Sequence, residues 1–393
     1  MQSGLTLTVG AELEIDLQLR VGDVNERIEI TAEQPQVSTA SSTISAVVNG
    51  TTMRELPLNG RDWASLATLE PGVAPVRTQI GLSTGTNDRT IRGIGSQLTV
   101  GGNRPQQNNY RLDGISINDA SNGAPGNVLG GNLGVDAIQE FSVLTTNPSA
   151  EYGRSAGGVI NAVTRSGTNS FHGSGFEFLR NSALDARNFF DGPSVPPFKR
   201  NQFGSSAGGP IRRDRAFIFG AYEGLRQSLA FTQNDTLPSA AARAGNLCLM
   251  PSSPPTCTPT TVTVDAKVQP FLALYPLPNR PLSSPGDLGT FSFVTSQITN
   301  EDYFIGRADH KLSEKDTLAG TYMFDKSQGV SPDQFNAVNL AAQSRRQLVA
   351  LEETHTFSPA LLNSLRFGFS RIISDGPKTL GAINPLAQDP SLG

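Results

Sequence analysis

Long apolar runs are absent from this chain. No stretch of roughly 18 or more apolar residues, the length a membrane-spanning helix needs, occurs in its 393 positions. Charge is scarce: 17% of residues are Asp, Glu, Lys or Arg, the formal net charge is -4, and no basic run stands out. That points away from a nucleic-acid surface. Tryptophan occurs once and cysteine twice. Cys248 and Cys257 lie close together without His or Cys partners nearby. This disfavours a metal site and leaves one local disulfide in an oxidising compartment, or two unpaired thiols. A basic start followed by an apolar core is missing, so Met1 is not expected to open a signal peptide. What remains is rich in Gly (40), Pro (26) and Phe (20), with 37% hydrophobic residues. Such a chain is long enough for two or three domains. It reads as an all-β protein without one large core, or as a partly disordered one.

The first stretch, residues 4 to 31, carries short alternating runs. Leu5, Leu7 and Val9 share a face, as do Leu13, Ile15, Leu17 and Leu19, with Ile28 and Ile30 following. Alternation with period two predicts antiparallel strands with one wet face, the expected end of a small β-sandwich. Residues 33–50, Ser/Thr-rich and almost uncharged, read as a linker or an extended segment. A short helix through Leu56 and a second, capped by Asp62 with Trp63, Leu66 and Leu69 on one face, come next. Asp113-Gly114 between apolar alternations is a hairpin or bulge signal. A strand over Phe141 to Leu144 and another over Val159 to Thr164, preceded by Gly157-Gly158, complete a mixed α/β region.

From Phe171 the texture changes. Seven strands alternate an apolar or aromatic face with a small, polar or charged one, and every other connection is short. In the strand after Asp316, for example, Leu318, Gly320, Tyr322 and Phe324 face one way and Thr317, Ala319, Thr321 and Asp325 the other. Short turns fall at 211–215, 313–316 and 358–361; long irregular loops are expected at 180–202, 226–301 and 327–345. A transmembrane β-barrel has this signature, because each strand faces lipid on one side and a wet lumen on the other, with short turns within the cell envelope and long loops outside. A soluble sandwich also alternates, yet rarely tolerates so long an irregular loop.

Three stretches carry a family resemblance. Ile91-Arg92-Gly93, then YRLDGISI at Tyr110 to Ile117, then DAIQEFSVLTTNPSAEYGRSAGGVINAVTRSG at Asp136 to Gly167 together resemble the plug domain of TonB-dependent outer-membrane receptors. ELPLNGRDWASLATLEPGV and RADHKLSEKDTLAGTYMF resemble the Oar-like subgroup, whose members carry a carboxypeptidase-regulatory-like sandwich, a plug and a barrel. The resemblance implies a mainly β chain. Residues 1–32 would be the C-terminal strands of the sandwich, 33–50 a linker, 51–168 the plug and 169–393 the first seven or so antiparallel strands of a large outer-membrane barrel. Both ends then fall inside a longer chain. It also implies a plug-gated transporter for a scarce or large extracellular substrate, with TonB and the outer-membrane bilayer as partners, no nucleic acid, no cofactor and no enzymatic activity. An adhesion or structural protein anchored by the same barrel is the alternative, and a soluble carbohydrate-binding or peptidase-associated β protein a weaker one.

Site residues follow from the same resemblance. Ile28, Glu29, Ile30, Thr31 and Ala32 match best the segment that meets TonB, or else form the last sandwich strand. The plug signature comprises Arg92, Gly93, Asp113, Gly114, Glu151, Tyr152, Gly153, Arg154, Gly157, Gly158 and Asn161. Other patterns fall away on inspection. Ser155 in GRSAGG lacks the G-x-S-x-G spacing of a nucleophile elbow. Gly93-Ile-Gly95 has no following helix or acidic partner for a dinucleotide. His172, His310 and His355 are scattered and are each expected on a strand end or barrel face.

Overall fold

The computed structural model describes residues 2–3, 30–31, 44–56, 58–76, 97–119, 134–153, 155–187, 195–249, 258–283, 286–333, 335–375 and 381–392. Near the start, β1 (Gln2–Ser3) pairs in parallel with β2 (Ile30–Thr31). Residues 4–29, on which most of the sandwich expectation rests, lie outside the described residues.

The expected plug is built on a mixed five-stranded sheet. Its members in chain order are β3 (Ile44–Asn49), β6 (Asn109–Leu112), β7 (Ile115–Ser116), β8 (Ile138–Thr146) and β9 (Val159–Thr164), with β4 (Val73–Val76) and β5 (Gln97–Val100) forming a separate hairpin. The spatial order is β3-β8-β9-β6-β7, and β6 runs parallel to β9. The presence of β3 decides between the two readings of residues 33–50 at their end, where the chain is an extended segment. Residues 44–49 of the presumed linker pair antiparallel with β8. Their Ile/Val content suits a strand, and a polar neighbourhood had hidden it.

Between β3 and β4 the helix α1 (Gly50–Glu55) and a 3-10 helix (Trp63–Leu69) cover the sheet. Asp62 caps the latter, its carboxylate accepting from Ala64 N at 3.0 Å. Trp63 and Leu66 turn inward, and the Trp63 ring meets Phe141 at 5.6 Å between centroids. Leu69, expected on the same face, is exposed because the chain is already leaving towards the Pro71-Gly72 turn. Tyr110, Leu98, Val100, Ile138 and Ile160 complete this core.

The barrel region forms one antiparallel sheet, in order β10-β11-β12-β15-β16-β17-β18. These strands are β10 (His172–Asn181), β11 (Phe198–Arg212), β12 (Ala216–Pro238), β15 (Leu288–Lys311), β16 (Asp316–Pro332), β17 (Val338–Ser358) and β18 (Leu361–Asp375). The short β13 (Asn246–Leu249) and β14 (Thr258–Thr261) make a separate hairpin between β12 and β15, and β19 (Gly381–Ala382) pairs with the start of β17. The seven expected wall strands are therefore present, and the three short turns fall where expected.

Their length is the difference. β12 has 23 residues and β15 has 24, against about 9–11 needed to cross a bilayer. Much of the sequence read as loop at 226–301 and 327–345 is strand prolonged past the membrane. The inward face there is polar yet still buried, as at Gln227, Thr295, Gln297 and Thr299, so both faces carry polar residues and the apolar/polar contrast fades. In the membrane zone alternation holds: Thr321, Met323, Asp325 and Ser327 of β16 are buried, while Tyr322 is exposed. No helix among the described residues is long and apolar enough to cross a membrane.

Candidate functional site

The plug sheet sits against the inner face of the wall, and two polar clusters hold it there. The first centres on Glu223 of β12. Its carboxylate accepts from the Gly134 backbone N–H at 2.9 Å and from Gln202 Nε2 at 2.7 Å. Gln202 Nε2 also reaches the Gly60 carbonyl at 3.1 Å. Arg61, in the Asn59-Gly60-Arg61 turn, pairs with Asp136 at 2.5 Å and approaches Glu223 at 3.3 Å. Its guanidinium also lies 3.9 Å from the Phe176 ring centroid. Gly134 is required twice over. Its φ of +94° is one that L side chains rarely adopt, and a Cβ there would stand 2.5 Å from the Tyr303 ring of the wall.

The second cluster is organised by the Asp113-Gly114 turn. Both residues have positive φ, 48° and 80°, and they join β6 to β7 as a two-residue hairpin, the geometry that Asp-Gly favours. The Asp113 carboxylate accepts from Thr164 N at 2.9 Å and Thr164 Oγ1 at 2.7 Å. Arg307 of β15 lies 3.6 Å from Asp113, pairs with Asp309 at 2.8 Å and donates to Thr164 Oγ1 at 3.0 Å. Ser166 donates to Asp309 at 2.6 Å. Asp113 thus serves as turn residue and as plug-to-wall anchor, where the sequence suggested the turn alone. Beside it a cavity of about 170 Å³ is lined by Asp113, Asn161, Arg307, Thr321, Glu352 and Arg366, among others.

The remaining signature residues serve the plug itself. Gly157 N donates to the Gln107 carbonyl at 2.9 Å, and Gly158 N to Asn108 Oδ1 at 3.0 Å. A Cβ on Gly157 would lie 2.4 Å from Asn108 Oδ1, and one on Gly158 2.6 Å from Val100, so this close approach needs glycine. Tyr152 takes the Arg111 guanidinium over its ring at 5.3 Å, and burial, then nearby Glu151, pushes its phenol up. Glu151 is exposed and accepts from Ser149 Oγ at 2.9 Å. Gly153 follows Tyr152 in the same short connection. Arg92, Gly93, Arg154, Ile28, Glu29 and Ala32 lie outside the described residues. Cys248 is disulfide-bonded, and Cys257 lies outside the described residues.

Sequence reasoning missed Arg61, Asp136, Glu223, Arg307 and Asp309. A signal existed for the wall pair: Arg307 and Asp309 are two apart and so share a strand face. Glu223 likewise extends the face of Phe219 and Ala221. The buried trio of Glu301, Asp325 and Arg346, with Arg346 2.8 Å from Asp325, follows the same rule higher on the wall.

Residues 36–160 match the TonB-dependent Receptor Plug Domain, and residues 163–391 match the Outer membrane beta barrel domain. The chain belongs to the TonB-dependent receptors. The receptor is 28% identical over 236 residues to the TonB-dependent transporter Oar of Myxococcus xanthus, covering 56% of this chain and 20% of that protein. Its fold is similar to that of the outer membrane transporter YddB from Escherichia coli, with a TM-score of 0.53 at 16% identity over 84% of this chain and 39% of that one. The chain thus spans a fifth of the length of the curated relative it matches. Receptors of this family reside in the outer membrane and are not enzymes.

Proposed function

We propose that the complete protein is an energised outer-membrane transporter whose plug is released from the wall by TonB to admit a scarce or large extracellular substrate. The observation that carries this reading is the nature of the plug seat. Buried ion pairs are costly to break one-sidedly, about 3–5 kcal/mol each, and the seat has two such clusters beside an apolar core that runs from the plug to Phe219, Tyr303 and Ile305 of the wall. A seat that joins charge and apolar contact at once favours the docked plug, and this supports an external pull as what releases it. An adhesin would need the barrel as an anchor and gives no reason for a plug docked in this way.

Residues 28–32 are proposed as the segment on which TonB acts. Only Ile30 and Thr31 of it are described, in the short β1–β2 ladder, which fits either a TonB-contacting strand or the end of a sandwich. The test is cysteine cross-linking in cells of full-length receptor to TonB, scanning residues 28–32. The reading expects cross-links there, none from a cysteine placed in the 313–316 turn, and loss of uptake-dependent growth when the five residues are deleted. Absence of cross-links at every position, with the receptor assembled in the outer membrane, would overturn it.

A further inference from the structure

Far from the plug seat, Asp316, Glu353 and His355 each present one ligand atom, and these atoms lie within 4.8 Å of one another. Asp316 opens β16 and is paired with His355 across the ladder; Glu353 stands opposite Leu318. The even positions of β16 and the odd positions of β17 point away from the plug, since Thr321, Met323, Leu348 and Ala350 are buried while Tyr322 and Leu351 are exposed. The three ligands therefore lie on the outward face of the wall. They sit at the rim carrying the short turns, just beyond the apolar band of Leu318, Tyr322 and Leu351.

The surroundings already orient these groups. Ser313 Oγ donates to the Asp316 carboxylate, and it accepts from the backbone N–H of Lys315 at 3.0 Å and of Asp316 at 3.1 Å. His355 Nδ1 contacts the other Asp316 oxygen, and the Phe357 ring packs against the imidazole at 4.3 Å in an edge contact. Ser313 and Phe357 are outer contacts of the kind that hold ligands in metal sites, while the His355–Asp316 contact joins two of the ligands and leaves His355 Nε2 for the ion or gives way to it. One imidazole with two carboxylates suits a divalent transition-metal ion and matches its charge. Ligand atoms at about 2.1 Å from one ion are at most about 4.2 Å apart, so closing this cluster takes only small side-chain movements.

We propose that Asp316, Glu353 and His355 bind a divalent transition-metal ion of the zinc class on the outward face of the short-turn rim, its fourth position left to water. The ion would tie β16 to β17 where the wall leaves the apolar zone. The test uses full-length receptor in detergent titrated with Co²⁺, whose visible absorption reports four-coordinate binding, then with Zn²⁺ as competitor. Wild type is expected to take up one equivalent with that absorption and release it to Zn²⁺. His355→Gln and Glu353→Gln lose that equivalent while still migrating as folded, heat-modifiable barrels, and His310→Gln keeps it. Ser313→Ala weakens binding about tenfold or more, as loss of an outer-shell contact does. The proposal is overturned if wild type shows no such absorption, if His355→Gln and Glu353→Gln titrate like wild type, or if His310→Gln abolishes the signal.

Discussion

Single residues fix the plug in place, and Gly134 shows how. Its positive φ and its contact with Tyr303 leave no room for any side chain. Gly134→Ala is expected to unseat this corner of the plug, read as faster proteolysis between residues 60 and 140 in otherwise heat-modifiable barrels. Tyr303→Ala should relieve only part of the defect, because the backbone strain remains. Arg307→Ala leaves Asp113 and Asp309 without their shared cation. The plug should then unfold from the barrel at lower urea, by about 3–5 kcal/mol, measured by the urea dependence of protease cleavage within residues 58–164. Tyr110 offers a pH readout. Its phenol is buried without a hydrogen-bond partner among the described residues. Burial first, then Asp62, raises its pKa above the ordinary value of about 10. Above that value the unfolded chain loses the proton and the folded plug keeps it, so plug stability falls as pH rises beyond about 10. Tyr110→Phe is expected to reduce that fall, leaving the smaller part due to Tyr152, and to leave stability at neutral pH unchanged or slightly higher.

Elements divide the work between a tether and a wall. The tether from Arg165 to Phe171 is strapped to the β11–β12 turn, where Asn169 donates to Asp214 at 2.6 Å and accepts from its backbone N–H at 2.8 Å. Gly167 there passes so close that a Cβ would lie 2.4 Å from the Ile218 carbonyl. The connection lengths set the orientation of the wall. An epitope placed within the 313–316 turn should be stained only after the cells are permeabilised. One placed at residues 262–266, in the long connection between β12 and β15, should be stained on intact cells. The opposite pattern would invert the barrel. Alternation made these wall strands legible in the sequence, and Asp-Gly made the β6–β7 hairpin legible. Their upper ends were not, because polar residues such as Gln227, Thr295 and Gln297 fill the buried inward face there and leave little apolar/polar contrast to read. Nor was β3 visible beneath its Ser/Thr-rich flank. The plug seat was hidden for a different reason: Arg61 and Glu223 are remote in sequence, and only folding shows that they meet.

At the scale of the molecule, an apolar band faces outward, a polar wall faces inward, and a plug is docked onto that wall through buried charge. Under the proposed function, that arrangement is a closed pore that opens when the plug is pulled. Conductance across a planar bilayer tests it most directly, using the full-length receptor beside a form lacking residues 44–164. The intact receptor should be silent, and paired Arg61→Ala and Arg307→Ala substitutions should give intermittent opening. Removal of the plug should give a steady, large conductance. If the plugless barrel inserts and folds but conducts no more than the intact receptor, the plug does not close a pore and the account fails.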